Sequence, residues 1–403
     1  MNFVRAMKDE KQEMESGAGS PLLGVYRPTG PVFTGGRGSH LIAEDGRTYL
    51  DFTSGIAVNA LGYGDADVSA AVESALRSGL IHTSNLFRTG PATELALWLV
   101  DRSFADRVFF CNSGAEANEA AFKFARRRGL AVGGEQKHEI VAFSGGFHGR
   151  TMGALSATDR PAYQDPFRPL LPGIRFGKVG DPAALEKLVS RERTAAIIIE
   201  PIQGEGGVLP IPHHFLRAIR EICDAADAAL IFDEVQVGLG RTGALWAYEA
   251  SGVEPDLLTL AKPLAGGLPM GAVLLREKIA EEIQPGDHAT TFGGGPLVAA
   301  VALAVCRKIG DPAFLAELAR KGAWLENQLG ALALRSRNVV AVRGAGLIWG
   351  LEIDGSASDV VARAQDEGLL LCTAGPSVVR IVPPLTIGYD DLETGLGVLE
   401  GVL

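Results

Sequence analysis

Residues 195–234 read AAIIIEPIQGEGGVLPIPHHFLRAIREICDAADAALIFDE, and the fold turns on them. The stretch opens and closes on short apolar runs that end in acids, Glu200 and Asp233. Between them, HHFLRAIREICDAA spaces its apolar residues as one face of a helix. Strand, helix, strand is a parallel crossover unit, because two parallel strands need a connection long enough to return over the sheet. The same pattern lies upstream. RVFFCN before Ser113 and EIVAFS before Gly145 are strand candidates, separated by the helically spaced EANEAAFKFARRR. All four strands end in polar or Gly-rich residues, the end at which open α/β sheets place their ligands. The expected fold class is α/β, a mostly parallel central sheet flanked by helices.

Working outward, the alternation changes after GGGPLVAA into a long helical run, VAAVALAVCRKIG then FLAELARKGAWLENQLGALA. Short strands follow near VAVRGAGLIWGLEI and VVRIVP. A large domain over 51–294 and a smaller α/β lobe over 295–403 are expected, for a chain of 403 residues that is 47% hydrophobic and can bury more than one core. Residues 1–50 contain HLIAEDGRTYLDF, a DG turn between two strand-like runs, and are expected to pack with the small lobe.

The net charge of −10 opposes binding to nucleic acid or to an anionic membrane surface. The one basic cluster, Arg126-Arg127-Arg128, precedes Gly129 and reads as cations closing a helix C-terminus. No apolar run is long enough to span a bilayer, and the charged first residues offer no export signal. Four scattered cysteines, Cys111, Cys223, Cys306 and Cys372, without a Cys-x-x-Cys pair fit a reduced compartment, so a cytoplasmic location is expected.

Chemistry concentrates at the strand ends. Asp233 closes an apolar strand, where a carboxylate must meet a cation or a strong donor. Lys262, in TLAKPLAGG, closes another apolar run, and a lysine so placed can lose its charge and act as a nucleophile toward aldehydes. Taken alone, a plain buried Asp–Lys ion pair explains the two equally well. Ser113-Gly114-Ala115, between strand and helix, suits a phosphate on helix N-terminal amides, and also suits a capping box of Ser113 with Glu116. GLGRTG at 238–243 matches the dinucleotide pattern, so a nicotinamide dehydrogenase is the reading from another class. Against it, DEVQV separates strand from glycines and spoils the tight turn that motif needs. No P-loop occurs. His213-His214 and the lone His148 form no metal set, so no metal is expected.

Five ordered motifs, SGAEANE at 113–119, FHGR at 147–150, EPIQGEGG at 200–207, DEVQ at 233–236 and Ala261-Lys262, together resemble the class III (ω-)aminotransferases. The likeness runs over nearly the whole chain and is strongest to the members that use acetylornithine. It implies a fold-type I enzyme with pyridoxal 5'-phosphate as cofactor, Lys262 as the Schiff-base lysine and Asp233 as partner of the ring nitrogen. It also implies phosphate contacts from Ser113, Gly114 and Ala115, Phe147 and Val235 on the two ring faces, and Gln236 near the phenolic oxygen. Thr291 resembles the residue that reaches the phosphate of a neighbouring subunit, which implies a homodimer with shared active sites. Where the family usually reads GGNP, this chain reads GGGP with Gly295, which removes one local hydrogen bond.

The resemblance further implies that Arg380 binds the α-carboxylate of glutamate, that Glu205 masks Arg380 when the amine donor has no carboxylate there, and that Arg150 holds the far carboxylate. A bare buried arginine is costly, which gives the mask its physical reason. Tyr26 is a candidate for contact with the amino-acid tail. The implied reaction moves the ω-amino group of acetylornithine to 2-oxoglutarate. The nearest alternatives are other members of the family that use ornithine, succinylornithine, 4-aminobutyrate or an acylated lysine precursor.

Overall fold

The computed structural model describes residues 21–26, 28 and 30–403. A seven-stranded sheet runs in the order Arg107–Cys111, Gly271–Leu275, Leu257–Leu260, Ala229–Asp233, Thr194–Ile199, Glu139–Phe143, Ile174–Gly177. Only Gly271–Leu275 runs antiparallel to its neighbours. The four strands expected from sequence are all present. Thr194–Ile199 and Ala229–Asp233 are buried along their whole lengths, as strands covered on both faces must be.

The crossover helix His213–Ala226 buries Phe215, Leu216, Ile219, Ile222, Cys223 and Ala226, the i, i+3, i+4 face read in the sequence. Helix Gly114–Gly133 is Ala-rich on its buried face and so lies close to the sheet. Here the reading of the arginine cluster is corrected. The helix does not close at Gly129 but continues to Gly133, and a Cβ at Gly129 would lie 2.2 Å from the Lys137 carbonyl oxygen. That glycine serves close packing and not a cap. The arginines bond separately, Arg126 to the His138 and Pro172 carbonyls, Arg127 to Asp287 and Arg128 to Asp227.

The strands Phe33–Arg37, His40–Ala43 and Thr48–Asp51 form an antiparallel meander, with the Asp45-Gly46 turn at Gly46 φ +85°. Its fourth strand comes from the far end of the chain, Leu369–Leu370, parallel to Thr48–Asp51. A further antiparallel sheet joins Val339–Ala345, Ile348–Ile353, Val378–Ile381 and Cys372–Thr373. The long helical run divides at Asp311, which N-caps Pro312–Arg335. The preceding helix, Pro296–Ile309, is apolar on most sides and packs chiefly against Ala66–Ser78 and Gly90–Asp101.

The GLGRTG segment is followed by turns and a short 3-10 helix, Ala247–Ser251, and not by the α-helix whose N-terminus would receive a pyrophosphate. Arg241 within it is buried and donates to the Leu347 and Pro383 carbonyls. Glu234, fully buried, anchors the same segment: its carboxylate accepts the Ala247 and Tyr248 amides, each at 2.8 Å. Replacing Glu234 with alanine strands both amides and should cost roughly 2–4 kcal/mol of stability. Glu234→Gln keeps one acceptor and should lose less. Denaturant unfolding checks this, and equal stability of the alanine variant and the parent would refute it.

Candidate active site

The ends of five sheet strands and the loops behind them enclose a cavity of about 270 Å³. Gly114 and Ala115, the first residues of helix Gly114–Gly133, form one wall. Phe147 to Arg150 form a second, Glu200 to Glu205 a third, and Asp233 to Val237 with Lys262 the floor. The sequence-predicted residues Gly114, Ala115, Phe147, Arg150, Glu205, Asp233, Val235, Gln236 and Lys262 thus come together. Ser113, Tyr26, Thr291 and Arg380 do not line it. Tyr26 is 82% exposed, Thr291 is exposed, and Arg380 reaches the cavity only through its bonded partners.

Close approach is built into the walls. A Cβ on Gly114 would sit 2.7 Å from a Val235 methyl, and one on Gly149, at φ +136°, would sit 2.7 Å from the Ala115 Cβ. Neither position admits a side chain, so backbone alone forms the wall at these two points. Ser113 Oγ accepts the Glu116 amide at 3.2 Å, as an N-cap does. The reciprocal half of the capping box is absent: Glu116 accepts instead from the Asn112 amide and side chain, at 2.7 and 2.8 Å. The Ser113 amide is therefore not taken up by the Glu116 carboxylate.

Asp233 makes no ion pair with Lys262 among the described residues. Its Oδ2 lies 2.8 Å from both Asn118 Nδ2 and His148 Nδ1, and its Oδ1 accepts the Val235 amide at 3.0 Å. The plain ion-pair reading therefore fails, and the carboxylate is a fixed, oriented anion. Burial disfavours the His148 imidazolium, yet the hydrogen bond and charge of Asp233 outweigh that cost and hold its pKa above the ordinary range. Lys262 is half-buried, and burial pulls its ammonium below the usual lysine range. The positive Arg380 acts in the same sense, while the carboxylates of Glu205, Asp233 and Glu200 oppose it. An amine with a depressed pKa is available as a nucleophile and as a proton carrier.

Arg380, on strand Val378–Ile381, is 1% exposed and ion-paired to Glu205 at 2.5 Å. It also donates to Gln236 Oε1 at 3.1 Å and to Cys372 Sγ at 3.3 Å. Burial pushes the Glu205 carboxyl up, but Arg380 and then Lys262 bring it below the ordinary carboxylate range. Arg150 differs: its guanidinium is exposed at the cavity wall and bonds no acidic group among the described residues. Gly295 caps helix Pro296–Ile309 with no side-chain bond, as the GGGP reading implies.

Three residues escaped the sequence reading. His148, which the sequence places only outside any metal set, orients Asp233. Asn118 carried a signal, a lone amide on the otherwise apolar buried face of its helix. Glu200 is buried, accepts the Phe147 amide at 2.9 Å, and is pushed by burial up to about 7, with Asp233 adding to the effect and His148 opposing it. Since the folded pKa is raised, the contribution of Glu200 to stability is full below the ordinary carboxylate range and is lost as pH rises through about 7. Infrared difference spectra between about pH 6 and about pH 8 should show a protonated-carboxyl band disappearing, and Glu200→Gln should remove that change. A difference spectrum indifferent to the substitution would refute the assignment.

A family model for Aminotransferase class-III matches residues 26–403. The chain belongs to the class III aminotransferases. The mitochondrial acetylornithine aminotransferase of Alnus glutinosa is 49% identical to this class III aminotransferase over 400 residues, covering 98% of this chain and 88% of the relative. The N-acetylornithine aminotransferase structure from Stenotrophomonas maltophilia superposes with a TM-score of 0.82 at 38% identity, covering 94% of this chain and 96% of that one. An ornithine aminotransferase structure from Toxoplasma gondii, with partial occupancy of PLP at its active site, superposes with a TM-score of 0.92 at 28% identity, over 100% and 97% of the two chains. No helix among the described residues of this class III aminotransferase is long and apolar enough to cross a membrane, and none of their His, Cys, Asp and Glu side chains cluster as a metal site.

Proposed function

We propose that this class III aminotransferase uses pyridoxal 5'-phosphate to transfer the ω-amino group of N2-acetyl-L-ornithine to 2-oxoglutarate. The products are N-acetyl-L-glutamate 5-semialdehyde and L-glutamate, a step of arginine biosynthesis. One observation carries the reading: a single cavity is lined by a lysine of depressed pKa, an oriented aspartate, the open Arg150, and a glutamate, Glu205, whose carboxylate covers the buried Arg380 behind it. The names of the A. glutinosa and S. maltophilia relatives support the choice of substrate.

The residues present fit the cofactor. The amides of Gly114 and Ala115 at a helix N-terminus, with Ser113, suit its phosphate. Phe147 and Val235 suit its two faces, Asp233 its ring nitrogen, Gln236 its phenolic oxygen and the Lys262 amine its aldehyde carbon. Bound there, pyridoxal phosphate supplies the electron sink for a carbon that loses its proton. Asp233 would hold the ring nitrogen in its protonated form through a charge-assisted bond of roughly 1.5–3 kcal/mol. The Lys262 amine, at the cavity floor, would hold the cofactor's aldehyde carbon and, when released from it, would be the group able to carry a proton to and from the substrate carbon.

The two arginines sort the substrates. Acetylornithine presents its ω-amine with no carboxylate beside it, so Glu205 stays on Arg380 and Arg150 takes the distant α-carboxylate as a bidentate fork. Glutamate and 2-oxoglutarate present a carboxylate beside the reacting centre, which replaces Glu205 on Arg380. One anion exchanges for another, and the buried guanidinium is never bare.

The reading extends to a homodimer with shared sites, in which Thr291 reaches the phosphate of the neighbouring subunit. Exposed Phe87 and Phe292, 70% and 66% accessible beside that loop, support a covered face. It also includes a large domain over 51–294, a small lobe over 295–403, with 1–50 packing on it, no nucleic-acid partner, and a cytoplasmic location, for which the four unpaired cysteines speak.

A donor panel of acetylornithine, ornithine, succinylornithine and 4-aminobutyrate with 2-oxoglutarate tests the proposal by kcat/KM. Acetylornithine should lead. Ornithine is the second reading, favoured by the T. gondii superposition, and would lead if that reading were right. Arg150→Ala should lower the acetylornithine value by about 10²-fold, the worth of a bidentate charged contact.

A further inference from the structure

Arg150 is held in an unusual way for a guanidinium beside a reaction cavity. Its Cζ lies 3.3 Å from the centroid of the Tyr163 ring and 5.9 Å from that of Phe147. Flat stacking on an aromatic face leaves the N–H edge of a guanidinium unused, because the attraction is to the ring's π-cloud and consumes no hydrogen bond. An acid in place of Tyr163 would occupy the fork that the substrate needs.

The ring itself stands on a fixed support. Tyr163 lies on the short helix Pro161–Gln164. The next residue, Gln164, is buried and donates to the Leu155 and Thr158 carbonyls at 3.1 and 2.8 Å. The N-cap residue of that helix, Arg160, donates to the Glu205 carbonyl at 2.6 Å. The platform under Arg150 is therefore braced against the same loop that carries the cover over Arg380.

We propose that Tyr163 is a specificity-determining positioning residue: its ring holds the Arg150 guanidinium edge-on to the cavity and so sets the preference for substrates with a carboxylate far from the reacting centre. This rests on the proposed role of Arg150. A stacked guanidinium has lost its rotational freedom before substrate arrives, so binding a far carboxylate incurs little further ordering cost.

The test compares Tyr163→Leu, Tyr163→Phe and Arg150→Ala in the full-length holoenzyme, with acetylornithine and with N-acetyl-1,4-diaminobutane, which has the same chain without the carboxylate. Tyr163→Leu should raise KM for acetylornithine about 2–5-fold with kcat little changed, as expected for losing an exposed cation–π contact. It should leave the carboxylate-free amine unaffected, and that amine also reports whether the variant folds. Tyr163→Phe keeps the π-face and should restore the parent KM. Calorimetric binding of glutarate, a dicarboxylate that cannot react, should weaken by the same factor in Tyr163→Leu. Equal KM changes for both amines, or a leucine variant with unaltered acetylornithine KM and glutarate affinity, overturn the inference. If Arg150→Ala also leaves acetylornithine unaltered, the role of Arg150 falls; if only the tyrosine variants are silent, this inference alone falls.

Discussion

Lys262→Ala should reduce turnover by on the order of 10⁴-fold or more, since one side chain supplies both the covalent anchor and the moving proton. The pKa of its amine is depressed by burial and by Arg380, which keeps a neutral fraction ready at neutral pH. Alanine removes that amine but disturbs neither the Gly114–Ala115 amides nor Asp233, so pyridoxal phosphate should still bind, without a covalent link. Borohydride reduction followed by peptide mass analysis should mark Lys262 in the parent protein and leave the variant unmarked. Retained turnover in the variant, or a parent whose Lys262 stays unmarked, would refute the assignment.

Asp233→Asn should lower kcat by about 10²-fold or more, the rate equivalent of losing a charge-assisted bond near the upper end of its usual strength. The substitution keeps size and shape, so the loss reports charge. Its second effect falls on His148. With Asp233 neutral, the burial that disfavours the imidazolium goes unopposed by its hydrogen-bonded partner, and the His148 pKa should drop. Imidazole NMR titration of both proteins checks this, and an unmoved His148 would show that Asp233 is not what charges it.

The parts of the fold legible in the sequence are those where apolar period and function coincide. Four strands of the large sheet could be read because each apolar run stops at a polar or glycine residue. Leu257–Leu260 shows in the sequence only as the apolar run that Lys262 closes, and pairing direction is set by the path of the connections, so the antiparallel position of Gly271–Leu275 has no local signature. Gly129 misled because a glycine required for close packing and a glycine ending a helix look alike in one dimension. In the site, the cavity-lining Gly114, Ala115, Phe147, Arg150, Glu205, Asp233, Val235, Gln236 and Lys262 were legible through ordered motifs. Those that touch other residues, His148 and Asn118 on Asp233 or Tyr163 under Arg150, needed the third dimension. The distance between Asn118 and Asp233 along the chain is 115 residues, beyond any local pattern.

The strand Thr48–Asp51 finds its outer neighbour in Leu369–Leu370. A ribosome delivers these two segments at opposite ends of synthesis, so the early meander waits with an open edge through most of translation. Closing that ladder depends on a contact of very long sequence separation, the kind that slows folding and leaves an unsatisfied edge able to pair with other chains. Expression should accordingly be most prone to aggregation in chains cut short before residue 369, however intact their catalytic half.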